Sequence, residues 1–90
     1  MSRLYIKSTI IKYDFSMESD SIMLYDKDNG NTHVLNSVGK QIIEDLDGKT
    51  KDEVVQKMRK IYTDIDSNKL KDDINNYLEL LIKSGVLYEK

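Results

Sequence analysis

Between Val34 and Gly48 a strand ends and a helix begins with almost no loop, and this joint constrains the fold more than any other stretch. Val34 and Leu35 are strand formers. Asn36 or Ser37 can cap a helix, because a short side-chain oxygen accepts from the first free backbone N–H groups. Val38, Ile42, Ile43 and Leu46 then recur at helical spacing, which predicts a helix over about 37–46, and Gly48 is placed to stop it. Before the joint the chain alternates like strands; after it the apolar residues repeat with a helical period.

Ninety residues suffice for one domain with one modest core, expected over residues 1–90. The absence of cysteine excludes disulfides, thiolate metal sites and cysteine nucleophiles. The lone histidine, His33, has no evident partners for a metal site or a catalytic triad. A net charge of −2 gives no electrostatic reason to expect nucleic acid as a partner. Mean hydropathy is −0.57, no apolar run is long enough to span a membrane, and no signal-peptide pattern opens the chain. The expectation is a cytoplasmic protein with no membrane partner, cofactor or metal.

Residues 1–8 read as a frayed or partner-dependent lead-in, with Leu4, Tyr5 and Ile6 as a possible strand stub. Residues 9–15 alternate as a first strand, with Ile11, Tyr13 and Phe15 on one face. Residues 16–20 read as a loop and residues 21–27 as a second strand. Asn29-Gly30 predicts a tight primed hairpin turn into a third strand at residues 32–35. Thr50 with Glu53 makes a capping box for a second helix, whose expected apolar stripe is Val54, Val55, Met58, Ile61 and Tyr62. Ile65 is expected to tuck against the core. Asp66 or Ser67 caps a third helix with the stripe Leu70, Ile74, Tyr77, Leu78 and Leu81, closed by Gly85. Residues 86–88 form a short extended end. The order is β-β-β-α-α-α. The fold class is α+β, with the helices packed on one face of a three-stranded antiparallel sheet.

Catalytic motifs fail on inspection. The segments beginning at Asp26 and Asp64 lack the sixth-position glycine and twelfth-position glutamate of a calcium loop, and read as turns. Asp20-Ser21-Ile22 resembles a pantetheine-bearing serine, but it opens a strand rather than a helix. The carboxylate pairs Glu44/Asp45 and Asp72/Asp73 read as solvated helix surface, and no glycine-rich phosphate loop is present. The expectation is a protein that is not an enzyme. His33 reads either as a half-exposed strand histidine or as the wall of a ligand groove, the former being commoner. Leu80 lies about 100° from Leu81 around the third helix. It is either a single exposed leucine or the apolar floor of a peptide groove.

Leu35-Asn36, the helix after it, Asp47-Gly48, Glu53-Val54-Val55, Ile61-Tyr62 and the run Asp73-Ile74, Tyr77-Leu78, Leu81, Gly85-Val86-Leu87 together resemble the pyrroloquinoline quinone biosynthesis D (PqqD-like) family. The resemblance spans about residues 9–88, and implies a single peptide-recognition domain with its core there. Gly39 within the first helix and a hairpin without proline depart from the pattern and set the chain apart from the quinone-cofactor member itself. The resemblance implies a winged-helix-like RiPP recognition element. Such a non-catalytic peptide chaperone binds the leader of a ribosomally made precursor peptide and presents it to a tailoring enzyme in natural-product biosynthesis. That enzyme is often a radical SAM protein; a lasso-peptide leader protease or a cyclising enzyme is the alternative. Carried onto this chain, the leader adds as a strand along Asn31, Thr32, His33, Val34 and Leu35, and packs against Asp73, Asn76, Tyr77 and Leu80. Which flank of the third helix lines that groove is left open by the sequence.

Two other readings stand beside this one. A DNA-binding winged helix needs a basic recognition helix, whereas the third helix sets Asp72, Asp73 and Glu79 against Lys69, Lys71 and Lys83. A scaffold domain would use the same strand edge on a second copy of itself, giving a homodimer.

Overall fold

A computed structural model describes residues 2–14 and 20–90. Phe15 and all of the expected first loop except Asp20 lie outside them. The strands β1 (Leu4–Ile6), β2 (Ile10–Asp14), β3 (Ile22–Asp26) and β4 (Thr32–Leu35) precede the helices α1 (Ser37–Ile43), α2 (Lys51–Ile61) and α3 (Ser67–Lys83), and β5 (Leu87–Glu89) follows. β2, β3 and β4 form an antiparallel sheet in that order, and the helices follow it, giving the expected α+β, winged-helix-like arrangement. No described helix is long and apolar enough to cross a membrane.

The sheet has two unlike faces. Ile22 and Leu24 on β3 and Leu35 on β4 are buried against the helices with Ile42, Ile43, Val54, Met58, Ile74 and Leu78. The opposite face carries Ile11, Tyr13, Met23, Tyr25 and Val34 in paired rows. The alternation of each strand sorts these sets, since successive side chains point to opposite sides.

The lead-in is part of the fold. β1 pairs with β5 as a second, two-stranded sheet, in which Tyr5 stacks on Tyr88 with ring centroids 5.6 Å apart. Leu4 is 0% exposed and belongs to the core. The α1–α2 loop receives this strand: Leu4 N–H donates to Lys49 C=O at 2.7 Å, Gly48 N–H to Leu4 C=O at 2.8 Å, and Ile6 N–H to Asp47 Oδ1 at 2.8 Å. Two short pieces that each look marginal alone thus satisfy one another and the loop beneath them.

Several boundaries differ from expectation for local reasons. α1 ends at Ile43; Glu44 is extended and Asp45 takes the left-handed conformation with φ 58°. Leu46 still reaches the core, but from a turn rather than a helix. Lys57 of α2 donates to the Gln41 and Glu44 carbonyls at 2.8 and 2.6 Å, so a neighbouring cation terminates α1. The β3–β4 turn is wider than a two-residue primed turn. Asp26 N–H donates to Asn31 C=O, Gly30 N–H donates to Asp26 C=O, and only Gly30 has positive φ. The Asp26 carboxylate accepts from Asp28 N–H at 3.0 Å and so begins the turn early. Ile61 and Ile65 are 44% and 40% exposed, outside the core where the periodicity placed them. The caps follow the sequence: Asn36 on α1, the Thr50–Glu53 box on α2 and Asp66 on α3.

Asp26 is a buried carboxylate. Thr9 Oγ1 donates to it at 2.7 Å and Lys7 Nζ at 3.0 Å. The Thr9 hydroxyl first, then the Asp28 N–H and Lys7, hold its pKa down to about 2, against the opposing effect of burial. Because the folded pKa lies below the ordinary value of 3.8, this contribution to stability is full above that value and is lost as pH falls towards about 2. Asp26→Asn should therefore flatten the pH dependence of denaturant stability between those limits, as urea titrations followed by circular dichroism at several pH values will read. Leu4→Ala should destabilise the fold by about 2–4 kcal/mol, the cost of emptying a core site; a frayed lead-in would give a shift near zero in the same titration.

Candidate functional site

The sheet has two open edges, and their chemistry differs. In an antiparallel ladder, hydrogen-bonded and non-hydrogen-bonded pairs alternate. The bond from Asp26 N–H to Asn31 C=O fixes the parity of the β3–β4 ladder. His33 and Leu35 therefore direct their backbone groups inwards to Leu24 and Ile22. Thr32 and Val34 direct theirs outwards, as unpaired donors and acceptors at two-residue spacing. By the same parity, set by Lys27 N–H donating to Thr9 C=O, the outward groups of β2 belong to Ile10, Lys12 and Asp14. The Ile10 N–H is already bonded to Lys7 C=O, and Asp14 is ion-paired to Lys40 at 2.9 Å. Charges on an edge strand oppose pairing with another chain. The β4 edge, with Asn31, Thr32, His33 and Val34, carries no carboxylate, lysine or arginine. It is the edge open to an added strand.

The expected site residues fall into distinct places. Asn31 closes the turn, Thr32 is exposed, and Val34 is 71% exposed on the sheet's outer face. His33 is half-buried opposite Leu24, so its ring lies on the helix-facing side of the edge strand. Leu35 is buried and supports the edge from the core rather than displaying a side chain.

On α3, Asp73, Asn76 and Leu80 are exposed, Leu80 at 62%, and Tyr77 is half-buried. Tyr77 decides how this helix sits. Its hydroxyl and the Leu35 Cβ both lie against Gly39 in the first turns of α1. A Cβ built at Gly39 would collide with the Tyr77 hydroxyl and come within 2.8 Å of the Leu35 Cβ. Burial of the Tyr77 ring raises its hydroxyl pKa above the ordinary tyrosine value. On the other side of α3, Glu79 pairs with Lys51 at the start of α2, and Lys51 lies 3.7 Å from Glu89 of β5. Helical spacing puts Asp73, Tyr77, Leu80 and Ser84 on one flank. That flank is the one turned to the β4–α1 corner. The sequence had left the choice of flank open; the packing of Tyr77 on Gly39 makes it.

Gly39 is where sequence reasoning saw only an irregularity. Its missing side chain lets α3 approach the end of β4, a role with no signature in periodicity. A cavity of about 130 Å³ also escaped notice. It lies between α1, the end of α2 and α3, lined by Val38, Tyr62, Ile65, Leu70, Asp73, Ile74 and Tyr77. The larger depressions beside the α1–α2 loop, of about 430 and 560 Å³, are open and lined by Lys, Asp and Glu side chains of both signs. The α3 cavity is lined mostly by apolar side chains and shares Tyr77 with the expected groove. Among the described residues, no group of three His, Asp or Glu side chains is placed to hold a metal ion.

Comparison with known proteins gives two findings. The family model of coenzyme PQQ synthesis protein D (PqqD) matches residues 21–87. The fold is similar to that of TbiB1, solved in complex with the TbiA(beta) leader peptide, with a TM-score of 0.79 and 23% identity over 91% of this chain and 92% of that one. No curated protein sequence matches the chain.

Gly39→Ala tests the corner. Helix propensity alone predicts a gain of about 1 kcal/mol. The collision predicts a net loss of about 1–3 kcal/mol. Adding Tyr77→Phe should recover part of that loss, and a double-mutant cycle by denaturant titration reads the coupling.

Proposed function

The chain belongs to the PqqD family, and we propose on that premise that it is a non-catalytic RiPP recognition element. It binds the leader of a precursor peptide by strand addition along β4 and holds it against the Asp73–Tyr77–Leu80 flank of α3. The observation that carries this reading is the asymmetry of the two sheet edges. β4 alone offers outward N–H and C=O groups at Thr32 and Val34 without charges to repel a strand. The leader peptide bound to TbiB1, a protein of similar fold, supports a peptide as the occupant.

Backbone pairing supplies affinity with little choice of sequence, and side chains reaching His33 on one wall and Tyr77 and Leu80 on the other supply the choice. The domain performs no chemistry on the peptide. It raises the effective concentration of the core peptide at a tailoring enzyme, which we propose to be a radical SAM protein acting in the cytoplasm. No basic face on α3 favours DNA, and an uncharged edge next to an apolar flank fits a peptide better than a second copy of the same charge-balanced surface.

The test is titration with the precursor peptide encoded beside this chain, read by amide NMR. Saturable binding should move the Asn31, Thr32, His33 and Val34 resonances and those of Asp73, Tyr77 and Leu80. Val34→Pro removes one outward donor without breaking a β3–β4 bond, and should weaken binding about tenfold, roughly the worth of one hydrogen bond. Leu80→Glu should weaken it by a similar factor. Circular dichroism must show both variants folded. Unchanged affinity in both would remove the β4–α3 groove as the binding site.

A further inference from the structure

The cavity beside Tyr77 has a composition that the leader reading alone does not use. Val38, Tyr62, Ile65, Leu70, Ile74 and Tyr77 form its walls, and Asp73 stands at its rim. Ile65 is 40% exposed although it sits in a turn beside the core, so a large aliphatic side chain is held at the mouth rather than packed away. The residues flanking Ile65 are Asp64 and Asp66. Asp66 is committed to the α3 cap, accepting from Asn68 N–H at 2.9 Å. Among the described residues neither Asp64 nor Asp73 lies within ion-pair distance of a lysine or arginine. Neither Lys69, one turn before Asp73 on α3, nor Lys71 pairs with it. An apolar hollow is thus edged by one carboxylate, Asp73, that has no ion-pair partner among the described residues.

The hollow is also in the right place. It begins at Val38, three residues beyond the end of β4, so a strand added to β4 and running past Leu35 passes over it. From Leu80 to Asp73 the α3 flank is roughly 10 Å long at 1.5 Å per residue. About three residues of extended peptide cover that distance.

We propose that this cavity is a specificity pocket for the leader, taking one large aliphatic or aromatic side chain whose neighbour in the peptide is lysine or arginine, paired with Asp73. The inference rests on the leader-binding reading above. It adds the substrate class: leaders with an apolar anchor beside a basic residue, about three positions along from the residue that meets Leu80. Charge complementarity selects this occupant. An acidic peptide segment meets repulsion at the rim, and a neutral one leaves the Asp73 carboxylate uncompensated as water is displaced.

The experiment uses the full chain with methyl-labelled Val, Leu and Ile, and the leader segment of the precursor peptide encoded beside it. Nuclear Overhauser contacts should join one apolar leader side chain to the methyls of Val38, Ile65, Leu70 and Ile74. Asp73→Lys should weaken binding about threefold to tenfold at low salt, the range for a reversed rim charge, with the difference shrinking as salt is raised. Replacing the basic leader residue by glutamate should weaken binding to the parent and restore it to Asp73→Lys. Binding that moves β4 amides while the cavity methyls stay silent, or that ignores both charge reversals, overturns the pocket and leaves the leader-binding reading standing. No binding of the leader at all removes both.

Discussion

Tyr77 resting on Gly39 is the contact on which the site's geometry depends. Leu35 ends β4, Asn36 turns the chain and caps α1, and Gly39 leaves a gap that the ring from α3 fills. Two consecutive elements, β4 and α1, meet the distant α3 there with no side chain to spare. A helix pays for glycine with about 1 kcal/mol of propensity, and the return is close approach between the last helix and the β4 edge of the three-stranded sheet. Without that approach the edge strand and the α3 flank would be two unrelated surfaces.

The rest of the molecule holds this corner in place. Lys57 fastens the end of α1 to α2, and the Lys51 ion pairs fasten the far side of α3 to α2 and β5. β5 in turn needs β1, which brings the buried Leu4 under the α1–α2 loop. At the other end of the sheet, Lys7, Thr9 and Asp26 pin the β3–β4 turn to the connection before β2. The turn sets the register of β4, and the register decides that Thr32 and Val34, rather than His33, turn their backbone outwards. Burial and charge thus converge on one open edge.

Local signals in the chain were reliable where they depended on neighbours in sequence. Asn36, Thr50 with Glu53, and Asp66 were legible as caps because capping is a matter of three or four residues. The stripe on α3 was legible for the same reason. Ile61 and Ile65 were misplaced because periodicity reports which face is apolar, not where the partner surface ends. The early end of α1 was hidden because the cation that terminates it arrives from α2. β1 and β5 looked dispensable because each is three residues long and gains its partner only at the opposite end of the chain.

The candidate site divides in the same way. The sequence by itself determined the order of strands and helices, the caps, the absence of thiol chemistry and the exposure of Leu80, all of which follow from composition and short-range spacing. Only the tertiary structure decided which flank of α3 meets β4, which edge is free of guarding charge, and that an apolar cavity opens beside Tyr77. These properties depend on pairs such as Gly39 and Tyr77, or Lys40 and Asp14, whose members are brought together by folding and leave no mark in the spacing of either segment alone.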